Sequence, residues 1–131
     1  MPRGFVRFVI HKLDPDSGRK QGLFQALADL SRSGKLDPSD SLDYHQVRDW
    51  FSEHLSKPGR LARSTRPRAK DVALSWFKDT AAEHIRQMRL LADILERHGI
   101  QVDMLRTRRP GYVVYEDDHQ VAAEPYSDTG A

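Results

Sequence analysis

The chain contains no cysteine, so disulfides, zinc–thiolate centres and thiol nucleophiles are excluded. It has no apolar run approaching the ~20 residues that a membrane-spanning helix requires. Neither glycine-rich phosphate loop, G-x-x-x-x-G-K or G-x-G-x-x-G, occurs in it. Helix-turn-helix, RNP and KH signatures are missing as well, and nothing repeats at the periods of solenoids. No signal-peptide hydrophobic stretch follows Met1-Pro2-Arg3-Gly4. The expectation is a soluble cytoplasmic protein with no membrane partner.

Charge of one sign is also scarce in the total: 21 Lys+Arg stand against 19 Asp+Glu, a formal +2. Distribution along the chain changes that picture. Residues 57–70 carry six basic side chains (Lys57, Arg60, Arg63, Arg66, Arg68, Lys70) and no acidic one, whereas residues 110–131 carry five acidic side chains and no Lys or Arg. A basic loop and an acidic tail therefore sit in one small chain.

At 131 residues and 15.0 kDa the length fits one domain, and a chain of this size can bury roughly two-thirds of its unfolded surface. Alternation over Gly4 to Leu13 predicts a strand, with Val6, Phe8 and Ile10 on one face and Phe5, Arg7, Val9, His11 and Leu13 on the other. Apolar residues on both faces suggest a central position. Leu23, Leu27 and Leu30 predict a helix over Lys20–Ser33 that ends at Gly34. Asp37-Pro38 predicts the cap and first position of a second helix reaching about Ser56, with a stripe of Tyr44, Val47, Phe51 and Leu55.

Breakers Pro58-Gly59, Ser64-Thr65 and Pro67 make 57–70 a long loop, a length that tends to be functional or mobile. A second strand is expected over Asp71–Lys78. Thr80-Ala81-Ala82-Glu83 reads as a capping box opening the longest helix, which ends at His98-Gly99. Its inward residues are Ala81, Ile85, Met88, Ala92 and Leu95, flanked by Leu91 and Ile94. Ile100–Arg106 follows as a strand, and Tyr112–Glu116 pairs with His119–Glu124 across Asp117-Asp118 as a hairpin. The prediction is one α+β (or α/β) domain over 1–126, order βααβαβββ, with a mixed five-stranded sheet and three helices. Residues 127–131 form a frayed tail.

A strand–helix–strand unit over 71–106 implies two parallel strands with a right-handed crossover. Lys78, the Thr80 helix terminus and Arg106 then share one sheet edge, followed directly by Arg108 and Arg109. Continuing through the hairpins brings Glu124 and Tyr126 to that edge too. The functional expectation is an anion site of Lys78, Thr80, Arg106, Arg108 and Arg109, because arginine offers a bidentate fork and a helix N-terminus offers aligned N–H groups. A second candidate surface is the loop residues Arg60, Arg63, Arg66, Arg68 and Lys70, each able to displace a counterion from a phosphate backbone. That loop lacks aromatic residues, so base stacking must come from elsewhere, with Trp76, Tyr112 and Tyr115 as candidates.

Glu116-Asp117-Asp118-His119 is the densest set of hard-cation ligands, but Asp is also a favoured hairpin-turn residue, and no metal is assigned to it. His84 beside Glu83 offers acid–base chemistry near neutral pH, without a nucleophile at a certifying spacing. No catalytic residue and no cofactor is assigned. Two segments, Trp76-Phe77-Lys78-Asp79-Thr80-Ala81-Ala82-Glu83-His84-Ile85 and Arg109-Pro110-Gly111-Tyr112 through Pro125, resemble small bacterial proteins of unassigned activity. That resemblance implies a bacterial cytoplasmic origin and no chemistry. The leading functional expectation is a non-enzymatic module binding an anionic partner, most plausibly nucleic acid. Two others are kept: a protein-interaction or self-associating domain with complementary basic and acidic surfaces, and a small enzyme on a phosphorylated substrate using His84 and Glu83.

Overall fold

The computed structural model of the protein describes residues 4–13, 20–55 and 73–126. Its elements are β1 (Phe5–Leu13), β2 (Lys20–Gly22), α1 (Leu23–Arg32), α2 (Pro38–His54), β3 (Leu74–Lys78), α3 (Ala82–Arg97), β4 (Asp103–Thr107), β5 (Tyr112–Glu116) and β6 (Gln120–Glu124). The fold is α+β, with three helices and a six-stranded sheet among the described residues. The expected loop 57–70 and the tail 127–131 lie outside the described residues.

β1 is central. Phe5 pairs with Lys78 on one edge and Thr107 on the other, and Val9 pairs with Gly22 and Asp103. One edge of β1 thus carries β4, and the other carries β3 and then β2. Its Val6, Phe8 and Ile10 face the helices, in a core with Leu23 and Leu27 of α1, Phe51 of α2 and Leu91 and Leu95 of α3. Burying one such side chain contributes roughly 1.5–3 kcal/mol. On the opposite face Leu74, Trp76 and Val121 gather Phe5, Leu105 and Val113 into a second cluster.

That second cluster draws on five strands, which requires curvature. β4 and β5 stand at opposite ends of the path β4-β1-β3-β6-β5, yet only residues 108–111 join them. Five residue steps reach at most ~18 Å. Four strand spacings in a flat sheet already take ~19 Å, before adding the length of a strand. The sheet must coil, closing Leu105 and Val113 over Trp76.

The local signals explain most boundaries. Asp37 caps α2, its carboxylate accepting from Asp40 N–H at 2.8 Å, and Pro38 follows. α1 ends in a Schellman motif: Gly34 has φ +70°, and Lys35 N–H donates to Leu30 C=O at 3.0 Å. β5 and β6 form the expected hairpin, with a bulge between Val113 and Tyr115.

Several expectations are corrected. Lys20–Gly22 is not the first turn of α1 but a short strand, because Gly22 is extended (φ −77°, ψ 167°) and the segment pairs with the far half of β1. It makes the sheet six-stranded. Ile100–Val102 precede β4 rather than joining it. The strands before and after α3 are parallel to each other as expected, but β1 lies between them and pairs antiparallel with both.

The capping box does not form. Asp79 exchanges hydrogen bonds with Gly4 in both directions, at 3.0 Å each, which holds Asp79-Thr80 in a turn. The helix therefore starts at Ala82, and Ala81 is its N-cap, with no side-chain cap bond. Glu83 turns instead to Arg86 and Gln87. The final strand is also reversed from expectation. β6 pairs antiparallel with β3, so Glu124 and Tyr126 end beside Leu74, and the Asp117–His119 turn lies at the Lys78 end instead.

Candidate functional site

At the end of the sheet where β3 and β4 finish, Lys78 and Arg106 stand on either side of β1, as the strand–helix–strand reading requires. They do not share a face. Lys78 is paired with Phe5, on the second-cluster face, while Arg106 is paired with Val6, on the helix-side face. Lys78 is only 7% exposed, and its Nζ lies 2.7 Å from Glu116 Oε2. A charge with so little water needs such a partner, so Lys78 is committed to holding β5 near β3. Thr80 is exposed in its turn and caps nothing. Of the five residues expected at an anion site, Arg106, Arg108 and Arg109 are left as an exposed group at the end of β4. Arg60, Arg63, Arg66, Arg68 and Lys70 lie outside the described residues.

The structure adds an arginine to that group. Arg89 of α3 donates from Nη2 to Met104 Sδ at 3.8 Å. Met104 precedes Arg106 by two residues and so projects from the same face of β4. By i,i+4 spacing alone, Arg89 falls on an alternating-charge helix face with Asp93 and Arg97. It is instead the neighbour of a strand, while Arg97 reaches across to α2 and binds Asp40 at 2.7 Å. Which neighbour an exposed helical arginine meets depends on the packing angle of α3, and spacing carries no signal for that. Arg86, one turn earlier, is engaged by Glu83, whose carboxyl is held down to about 2 by hydrogen bonds from Arg86 and Gln87.

Beyond β4 the connection turns sharply. Arg109 N–H donates to Thr107 Oγ1 at 3.0 Å, and the Arg109 guanidinium carbon lies 5.2 Å from the centre of the Tyr126 ring. Gly111 has φ +134°, a conformation that favours glycine. A Cβ there would stand 2.0 Å from the carbonyl oxygen of Glu124. The connection is pressed against the end of β6.

A second constellation forms at the foot of the β5–β6 hairpin, where sequence reading saw separate residues. His84 is 5% exposed and stacks on His119, with ring centroids 4.3 Å apart, next to Trp50, Phe51 and Phe77. Its Nε2 donates to the carbonyl oxygen of His54 at 3.1 Å, which fixes the proton on Nε2 because a carbonyl only accepts. Burial lowers the affinity of this ring for a second proton, against the opposing pull of that hydrogen bond. Glu83 and His84 have different neighbours, so the acid–base pair that an enzyme reading needs is not assembled.

The Asp117 carboxylate organises the adjoining turn. It accepts from the N–H groups of His119 and Gln120, from Tyr115 Oη and from Gln120 Nε2. Burial would raise its pKa, but these donors together lower it. The turn is a structural knot rather than an open cluster of ligands. A cleft of about 350 Å³ separates it from the end of α2, lined by His54, Asp118 and His119 among others. Among the described residues, no three His, Asp or Glu side chains are placed to hold a metal ion. A larger cavity of about 660 Å³ opens between α1, α2 and β3, with Phe24, Phe51, Leu74 and Met88 in its walls. Among the described residues, no helix is long and apolar enough to cross a membrane.

No family model, curated protein or solved structure matches the chain.

Proposed function

We propose that the protein is a non-enzymatic binding module for an anionic partner, with nucleic acid as the partner class. The observation that carries this reading is the exposed arginine run at the end of β4. Arg106, Arg108 and Arg109 follow one another there, and Arg89 abuts the same strand face through Met104. The Thr80 helix terminus and Lys78 are not counted in it, since one caps nothing and the other is neutralised. On sequence grounds the six basic residues of 57–70 add charge of the same sign.

Phosphate contacts by arginine release counterions, so binding must weaken steeply as salt rises. Fluorescence anisotropy of labelled DNA and RNA over a salt series tests this. Arg106→Gln, Arg108→Gln and Arg109→Gln should each lower the affinity and reduce the salt slope by about one. An absence of binding to any DNA or RNA at low salt overturns the proposal.

A further inference from the structure

We infer that the cavity between α1, α2 and β3 is a binding site for a small apolar carboxylate of the medium-chain fatty-acid class. This goes beyond the nucleic-acid reading and uses none of the residues of the β4 arginine run. The cavity exists because the sheet forks. β1 pairs with β3 through Phe5 and Val6, and with β2 from Val9 onward. Between those points β2 and β3 part. The Arg7 guanidinium bridges the fork, reaching the carbonyl oxygens of Lys20 at 2.8 Å and Ser75 at 3.5 Å. Ser75 stays exposed on β3, and a space of about 660 Å³ is left. Sites for small ligands run to about 300–1,000 Å³ and are mostly apolar, with a few polar groups that fix orientation.

The walls have that composition. Phe24, Phe51, Phe77 and Met88 supply apolar surface. Among the described residues, none of the lining side chains is acidic and two, Arg7 and Arg48, are cationic. Arg7 is committed to the fork, so the charge for a ligand comes from Arg48. The Arg48 guanidinium carbon lies 5.7 Å from the Tyr44 ring centre, a contact that holds the cation without supplying a hydrogen-bond acceptor. Arg48 is exposed, and its helical neighbours three and four residues away, Tyr44, His45, Phe51 and Ser52, include no carboxylate. A further lining residue, Trp76, is 1% exposed, and its indole N–H meets no acceptor. Buried donors seldom go unanswered in a protein with nothing bound to it. A carboxylate on an apolar tail fits this surface. The tail removes the apolar walls from water, and the carboxylate accepts from the Arg48 fork. A neutral molecule of the same shape gains the first of these and not the second.

The test is isothermal titration calorimetry of the full chain with octanoate and with octanol, its neutral counterpart. Octanoate should bind about tenfold tighter, the advantage of one charge-assisted contact. Arg48→Gln should remove that advantage, weakening octanoate by about tenfold and leaving octanol unchanged. Ala28→Phe sends a ring into the cavity from α1 and should abolish binding of both. Circular dichroism of each variant checks the fold, and Arg48→Gln decides alone if the larger ring disrupts packing. Octanoate that does not bind, or that binds no tighter than octanol, overturns the inference. So does normal octanoate binding by folded Arg48→Gln or Ala28→Phe. Each of these outcomes leaves the oligonucleotide titrations to be judged separately, since the two sites share no residue.

Discussion

His119 stacks on His84, their ring planes inclined by 26° and their centres 4.3 Å apart. One ring belongs to the hairpin turn and the other to α3, so this contact joins the β5–β6 end of the sheet to the helical layer. His84 also binds the last residue of α2 through the His54 carbonyl. A single imidazole thus touches three elements from a nearly dry position.

Stability should fall as the pH drops below about 6.5. Burial lowers the proton affinity of folded His84, so below that value the unfolded chain takes up a proton that the folded ring resists. The loss begins at the unfolded value and grows toward the lower folded one. It precedes the loss from Asp40, Glu83 and Asp117, whose lowered pKa values place their protonation in stronger acid. Urea midpoints at pH 7.5 and 5.5 check this, and His84→Gln should show the smaller fall between them.

The two helix starts should respond differently to truncation. Asp37→Ala removes a cap acceptor and should cost about 1 kcal/mol. Thr80→Ala removes a hydroxyl that caps nothing and should change stability by less than about 0.5 kcal/mol. Equilibrium unfolding of both variants by circular dichroism decides it. A large cost for Thr80→Ala would mean that the capping box forms after all.

Neighbouring leucines on α3 should separate just as clearly. Leu91 is fully buried between the helices and β1, and Leu91→Ala should destabilise by about 2–5 kcal/mol. Leu90 is exposed, and Leu90→Ala should stay within about 0.5 kcal/mol. The denaturation midpoints of the pair report the difference.

Gly111→Ala should be among the most damaging single changes for its size. The added methyl meets the backbone of Glu124, which cannot rotate away, and φ +134° is strained for any L side chain. A lower melting temperature is expected from a residue that buries almost nothing.

The fold class was legible because its signals are local: alternation in β1, the leucine spacing of α1, Asp37-Pro38, and the hairpin around Asp117-Asp118. The errors fall where tertiary pairing overrode local preference. Lys20-Gln21-Gly22 were drawn into β2 by the open edge of β1, and Asp79 was held by Gly4 before Thr80 could cap. Chain direction in the last strand was misread because nothing in 108–126 records which neighbour the hairpin will choose. It chose β3, and that choice moved Tyr126 to the opposite end of the sheet from Lys78.

The candidate site was legible in part. Arg106, Arg108 and Arg109 do stand together, exposed, at the end of β4, because they are close neighbours in the chain where that strand ends. The fate of Lys78 was not readable, because Glu116 reaches it only through the β3-β6-β5 pairing. The Arg109–Tyr126 and His84–His119 contacts were hidden for the same reason: each joins residues that only the strand order brings near.

The position of β1 bears on the order in which the molecule assembles. This strand precedes every other described element in the chain, yet the Phe5–Val9 edge that receives β4 waits for residues 103–107, after all three described helices have been made. Closing so long a loop slows folding and leaves an apolar strand edge open meanwhile. A chain ending after α3 keeps that edge open permanently. It should self-associate through Phe5–Val9, a hazard that the complete sheet removes by occupying the edge with β4.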